Sequence, residues 1–424
     1  MLTRNAGKTF RPILAAVVLA GLSTSALALT PGSGAWVKET VTYGTPNLQD
    51  AYVYVPKNLN PQVLAGKRAL MVSLHGCGQT ASGNVINTKF NWETTAEQYG
   101  MVVVAPTVPS GTSSTRTSSG CWDWFGASHN RTSRDAVPLK KLIDAVRSRA
   151  NLDIDPNQIY ISGLSSGAGQ THVMGCSFPD YFAGVAPNAA PALGSSATAI
   201  FSDPTRTAQQ VADTCKAING NQYNSYFSTQ IFANVYGSSD AIVKPSHNVR
   251  NRDGMKVLYG ANSSAGTVTV PGGGSADLWR DANGKLRISN MVINGMGHAW
   301  PAGSGGAGGG TYVAYNYVNF PAYITRWFFD NNLRVDRGGA TTTTTAEGTT
   351  STSETTTSTT TTTTLPVTCY SSSNYAHVSA GRAYHNLGYV YAKGSGQNMG
   401  LYNLYASTTL KQTGPAYYVI GTCP

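Results

Sequence analysis

Residues 159–174 read Ile159-Tyr160-Ile161-Ser162-Gly163-Leu164-Ser165-Ser166-Gly167-Ala168-Gly169-Gln170-Thr171-His172-Val173-Met174. A short β-favouring run passes without a spacer into Gly-x-Ser-x-Gly and then into residues that can continue as a helix. A strand turning this sharply into a helix brings neighbouring backbone close, which glycine tolerates and a Cβ does not. Ser165 then stands at the apex with its hydroxyl presented. The bare pentapeptide arises by chance in a chain with 46 glycines, so its placement between strand and helix carries the reading.

Outward from this turn, apolar strand-like runs alternate with helical patterns, the signature of an α/β fold with a largely parallel sheet. The expected strands are Ala69 to Leu74, Met101 to Ala105, Ile159 to Ser162, Ile231 to Val235 and Ile288 to Ile293. Leu139, Leu142, Ile143 and Val146 recur at helical spacing, and so do Phe320, Ile324, Trp327 and Phe328. The second of these helices should close the large domain just before Leu333.

A serine hydroxyl is a weak nucleophile at neutral pH and needs a histidine base oriented by a carboxylate. After the strand ending at Val235 comes Tyr236-Gly237-Ser238-Ser239-Asp240, which puts Asp240 in a turn at a strand's C-terminal end, where reactive groups gather in open α/β sheets. Asp213, Asp253 and Asp281 lack a preceding apolar strand. The strand ending at Ile293 leads into Asn294-Gly295-Met296-Gly297-His298, so His298 is the expected base. His247 follows Asp240 too closely to lie on the next strand, and His129 and His172 precede it; all three read as surface or structural histidines.

Acyl transfer also needs donors for the developing oxyanion. Ser166 N–H supplies one by position, and the loop Leu74-His75-Gly76-Cys77-Gly78-Gln79 offers Cys77 N–H as the second. Trp300, two residues after the expected base, is either a wall of the substrate pocket or core.

The ends of the chain have different compositions. Arg4, Lys8 and Arg11 precede an apolar run from Ile13 to Leu22, and Ala26-Leu27-Ala28 suits cleavage, so residues 1–28 read as a secretory leader with the mature chain starting near Leu29. The apolar run is shorter than the roughly 20 residues that span a bilayer, and no membrane is expected to hold the mature protein. Between Thr341 and Thr364, 17 of 24 residues are threonine, which cannot build a core. That stretch is an extended linker with a reach of roughly 80 Å. The expected organisation is therefore leader 1–28, catalytic domain 29–335, linker 336–366 and a small C-terminal domain 367–424.

Six cysteines in a chain routed to an oxidising compartment imply three disulfides. Cys369 and Cys423 bracket the C-terminal segment and are expected to pair. Cys77 with Cys121 and Cys176 with Cys215 is the economical choice for the rest, although sequence alone leaves their connectivity open. No metal-ligand spacing accompanies them, so neither metal nor other cofactor is expected. The net charge of +10 includes the three leader cations, and no basic run exceeds Lys140-Lys141. That argues against a nucleic-acid partner.

This set of motifs resembles the extracellular polyhydroxyalkanoate depolymerases for short-chain polyesters such as poly(3-hydroxybutyrate). The similar pieces are His75 to Gln79, Cys121-Trp122-Asp123-Trp124, Gly163 to Gly167, Gly237 to Asp240 and Gly297-His298, with the oxyanion loop ahead of the nucleophile as in the family's type 1 arrangement. The resemblance implies an α/β-hydrolase catalytic domain with Ser165, Asp240 and His298 as triad. It also implies a threonine-rich spacer and a C-terminal substrate-binding domain, small, β-rich and disulfide-stapled, that holds an insoluble polyester surface. In that domain nine residues are tyrosine and none is tryptophan. Tyrosine faces suit a polyester, with Arg382, Lys393 or His385 as donors to ester carbonyls, while about half of the tyrosines should form the domain's own core.

The expected protein is thus a secreted, extracellular and monomeric serine hydrolase that cleaves solid polyester to 3-hydroxyacid oligomers and monomers. The competing readings are a feruloyl or acetylxylan esterase carrying a carbohydrate-binding module, and a non-catalytic secreted adhesin on a hydrolase fold.

Overall fold

The computed structural model describes residues 29–40, 42–111, 120–304, 306, 310–336, 368–386, 389–401, 406–414 and 417–421. The expected leader and linker lie outside these residues, apart from Asp336. The chain forms two compact units that divide between Ala340 and Thr341.

The first unit is built on a ten-stranded sheet. Its strands are β1 (Trp36–Lys38), β2 (Ala51–Tyr54), β3 (Arg68–Leu74), β4 (Val102–Pro106), β5 (Ile154–Leu164), β6 (Gly184–Asn188), β7 (Ile231–Gly237), β8 (Ser263–Val270), β9 (Gly274–Arg280) and β10 (Leu286–Ile293). Their spatial order is β1-β2-β4-β3-β5-β6-β7-β10-β9-β8. The six strands from β4 to β10 run parallel, and each edge is finished by an antiparallel pair.

All five strands expected from apolar runs are present. They were legible because a parallel sheet covered on both faces leaves no polar side, so its strands read as nearly unbroken hydrophobic segments. In β3, Leu70, Val72 and Leu74 enter one core cluster while Ala69 and Met71 enter the opposite one. Helices α2 (Ala136–Arg147), α3 (Ser166–Ser177), α4 (Ala208–Ile218) and α5 (Pro245–Tyr259) supply residues to the first cluster. Helices α1 (Trp92–Tyr99) and α6 (Phe320–Asn331) supply the second. A two-residue parallel ladder of β11 (Trp300–Pro301) and β12 (Val313–Ala314) ties the segment after β10 to the approach to α6.

The economical disulfide pairing is the one formed: Cys77 with Cys121 and Cys176 with Cys215. Cys369 is also disulfide-bonded; Cys423 lies outside the described residues.

The second unit comprises β13 (Thr368–Ser373), helix α7 (Asn374–Ser379), β14 (Ala383–Asn386), β15 (Tyr389–Ala392), β16 (Asn398–Leu401), β17 (Ser407–Gly414) and β18 (Tyr417–Ile420). Two three-stranded sheets, β13-β17-β18 and β14-β15-β16, enclose a small core of Ala383, Val390, Ala392, Met399 and Leu410.

Candidate active site

β5 ends at Leu164, α3 begins at Ser166, and Ser165 alone makes the turn. Its φ of 57° and ψ of −116° belong to a region that a side chain bearing a Cβ rarely adopts. The turn is held by Ser165 N–H, which donates to Asn188 O at 2.9 Å, and by Gly169 N–H, which donates to Ser165 O at 2.9 Å. A Cβ on Gly163 would stand 2.6 Å from Gly167 O, and one on Gly167 only 2.3 Å from His75 O. Both flanking glycines are therefore steric requirements. Every residue of α3 is buried, which fixes the axis on which Ser165 sits.

Two strands further along the sheet, β7 and β10 end side by side and their loops interlock. Ser238 N–H donates to Ile293 O at 2.9 Å, Ser239 N–H to Met296 O at 3.0 Å, and Gly295 N–H to Ser238 Oγ at 2.9 Å. Asp240 Oδ1 accepts the N–H groups of Ile242 and Val243, each at 2.9 Å. Its Oδ2 lies 2.8 Å from His298 Nδ1. An ionised carboxylate only accepts, so Nδ1 carries the proton and Nε2 is left as the basic nitrogen. The Asp240 side chain is wholly covered and that of His298 is 6% exposed, which protects this hydrogen bond from water.

The loop after β3 reaches the same edge of the sheet. His75 is fully buried; Val108 N–H donates to its Nε2 at 3.1 Å, so its Nδ1–H donates to Gly76 O at 2.7 Å. Burial holds this imidazole neutral, with its pKa down to about 4. Gln79 Oε1 accepts Gly76 N–H at 2.8 Å while its Nε2 donates to Thr311 O at 2.6 Å. Trp122 Nε1–H donates to His75 O at 2.9 Å. A Cβ on Gly76 would lie 3.4 Å from Ser165 Cβ, so this braced loop, carrying exposed Cys77, runs past the serine. Ser166 opens α3, where the first N–H groups have no intrahelical acceptor.

With this geometry in view, the comparisons are informative. A family profile described as "Esterase PHB depolymerase" matches residues 53–262. A poly(3-hydroxybutyrate) depolymerase of Ralstonia pickettii is 35% identical over 94% of this chain and 95% of its own. This chain belongs to the PHB depolymerase family. A poly(3-hydroxyalkanoate) depolymerase C of Paucimonas lemoignei is 29% identical over 71% of this chain and 69% of its own. Among solved structures, an acetyl xylan esterase from Aspergillus awamori aligns with a TM-score of 0.50 at 21% identity, covering 62% of this chain and 94% of the other. That likeness reports the α/β-hydrolase fold.

The competing acids Asp213, Asp253 and Asp281 and the histidines His129, His172 and His247 have structural partners. Asp281 pairs with Arg287 at 2.9 Å, Asp253 with Arg252, and Asp213 accepts from Gln209. His129 bonds to Trp124 O, His172 faces Met255 Sδ, and His247 Nδ1 accepts Ala192 N–H. Trp300 takes the second of its two expected roles. It is fully buried, stacked on Phe90 at 4.4 Å between centroids, with Nε1–H donating to Phe90 O. It is core and not a pocket wall, because the β11–β12 ladder turns it inward.

Three residues at the site have roles that the sequence did not show, although Gln79 belongs to the loop singled out there. Gln79 braces the loop beside Ser165, Asn188 ends β6, and Tyr312 lies edge-on to His298 with ring centroids 5.8 Å apart. Each depends on a partner a dozen or more residues away in the chain, which no local pattern encodes.

In the second unit, Arg382 is half-buried and engaged internally through part of its guanidinium. Its Nε–H donates to His377 Nδ1 at 3.1 Å and its guanidinium lies 4.5 Å over the Tyr370 ring. His385 is exposed on β14. Tyr418 packs against the small core, Tyr384 and Tyr391 stack at 5.6 Å, and Tyr375 and Tyr417 are exposed.

Proposed function

We propose that Ser165, Asp240 and His298 form the catalytic triad of a secreted enzyme that hydrolyses solid poly(3-hydroxybutyrate)-type polyester. The observation that carries this reading is the strained Ser165 at the same sheet edge as the buried Asp240–His298 pair. Membership of the family makes the chain a carboxylic ester hydrolase. The assignment of roles follows from the geometry and the chemistry of acyl transfer.

Ser165 Oγ attacks an ester carbonyl carbon while His298 Nε2 takes the hydroxyl proton, and Asp240 stabilises the imidazolium. The carbonyl oxygen becomes an oxyanion that Cys77 N–H and Ser166 N–H receive. As the tetrahedral intermediate collapses, the ester C–O bond breaks and His298 returns the proton to the leaving hydroxyl. Water, deprotonated by His298, then attacks the acyl-enzyme and releases a 3-hydroxyacid end with Ser165 restored.

The second unit supplies the polymer contact, through exposed Tyr375, Leu401, Tyr417 and Ile420, with the His385 side chain as a donor. The linker raises the local concentration of catalytic unit at the surface. Disulfide-bonded cysteines and the leader-like N-terminus support an extracellular location, and the protein acts as a monomer with no nucleic-acid partner.

The test is clearing of a poly(3-hydroxybutyrate) suspension, with p-nitrophenyl butyrate as soluble control. The parent clears the suspension and Ser165→Ala does not; a chain truncated after Ala340 cleaves the soluble ester normally and clears poorly. Ester cleavage without clearing by the full chain would favour a polysaccharide esterase, and equal loss on both substrates after truncation would remove the division of labour.

A further inference from the structure

Tyr312 combines features that packing alone does not account for. It is not glycine, yet its φ is 57°, a left-handed conformation that is unfavourable for a bulky residue and persists only where its surroundings impose it. Those surroundings are the two loops of the active site. Trp300 N–H, two residues past His298, donates to Tyr312 O at 2.8 Å, and Gln79, which also braces Gly76, donates to the adjoining Thr311 O at 2.6 Å.

This conformation turns the ring outward. Trp300 and Phe320 nearby bury their rings completely, whereas Tyr312 is 45% exposed while its ring stands edge-on to His298. Its neighbours along the chain use their hydroxyls on backbone: Tyr315 Oη accepts Gly310 N–H, and Tyr317 Oη donates to Gly295 O. The Tyr312 hydroxyl has no such partner among the described residues. An apolar face beside the base, held there against a backbone preference, is placed for something that arrives from outside.

We propose that Tyr312 is a substrate-contacting residue that packs against the hydrocarbon of the hydroxyacyl segment on the leaving side of the scissile ester. The inference rests on His298 being the base. Nε2 must hand its proton to the departing hydroxyl, so the atoms beside the imidazole at that moment belong to the leaving group. In a short-chain polyester these are the methyl and methylene groups of the next unit, which an aromatic face receives well. A leaving methanol offers nothing to pack there.

The experiment compares a soluble 3-hydroxybutyrate trimer with methyl butyrate, for the full chain and for Tyr312→Ala, Tyr312→Phe and Tyr312→Gly. Glycine suits the left-handed backbone, so it separates loss of the ring from loss of fold. For the alanine and glycine variants, kcat/KM on the trimer falls about tenfold, mainly through KM, while methyl butyrate stays within about twofold and keeps its pH profile. Phenylalanine keeps activity on both. Equal losses on the two esters, or a shifted pH profile on methyl butyrate, would make Tyr312 a positioning residue for His298 and overturn the proposal, as would an unchanged trimer rate. Methyl butyrate cleavage surviving in His298→Asn would instead overturn the base assignment on which the proposal stands.

Discussion

The side-chain amide of Asn188 donates to the carbonyl of Ala299 at 3.0 Å. The same residue's backbone carbonyl accepts Ser165 N–H at 2.9 Å, so one residue at the end of β6 joins the Ser165 turn to the His298 loop. Asn188 is fully buried.

Replacing Asn188 by alanine leaves the backbone bond to Ser165 and removes the bond to the histidine loop. A half-buried Ala299 carbonyl without its donor costs about 1 kcal/mol, felt in the loop that positions His298. The expected result in p-nitrophenyl butyrate kinetics is a kcat lower by about tenfold or more with KM little changed. A raised KM at constant kcat would show that Asn188 serves binding instead.

Gly237 and Met296 make the analogous close approach behind Asp240. A Cβ on Gly237 would lie 2.0 Å from Met296 O and 2.7 Å from Gly297 O, and both are backbone atoms, which cannot rotate away. Gly237→Ala is expected to lower stability by about 2 kcal/mol or more and to pull the Asp240 and His298 loops apart. Denaturant unfolding and ester turnover measured together should both suffer; an alanine variant of full stability and activity would contradict the crowding.

Acid should weaken the first unit in a defined window. Burial lowers the pKa of His75 and His129 to about 4 and of His172 to about 3, against an ordinary value near 6.5 in the unfolded chain. On acidification the unfolded state takes up these protons first, so their contribution is fully present above about pH 6.5 and is lost as pH falls towards 4. His75 alone accounts for on the order of 3 kcal/mol. The melting temperature should fall steeply across that range, and His172→Leu should flatten the curve, since it removes a buried imidazole packed beside Met255 Sδ, Phe232 and the Asn251 side chain. An unaltered slope in that variant would remove His172 from the account.

The two disulfides of the first unit should behave differently. Their cysteines are 44 and 39 residues apart, so loop entropy gives each about 4 kcal/mol. Cys77 also belongs to the loop beside Ser165. Cys77→Ser with Cys121→Ser is therefore expected to lower kcat beyond what its folded fraction explains, whereas Cys176→Ser with Cys215→Ser lowers stability and leaves kcat per folded molecule intact. Turnover measured at 15–20 °C, alongside unfolding curves, separates the two effects.

Much of the fold was written locally. Strands β3, β4, β5, β7 and β10 announce themselves because both their faces are buried. β6, Gly184-Val185-Ala186-Pro187-Asn188, was not anticipated, because its small residues and proline resemble a loop. β8 is mostly exposed, so it lacks the apolar run that marks the central strands, and its antiparallel pairing with β9 depends on a partner that periodicity does not reveal.

By itself the sequence determined what depends on adjacent residues: the strand, the glycine-flanked turn at Ser165, and the turns carrying Asp240 and His298. Tertiary structure decided what depends on distant ones. It set β7 beside β10 so that Asp240 meets His298, turned Trp300 inward and Tyr312 outward, and put Asn188 between the Ser165 turn and the His298 loop. Short-range preferences act over a few residues of backbone and are encoded in composition, whereas these contacts join segments from about a dozen to more than two hundred residues apart and exist only once the sheet has set its strand order.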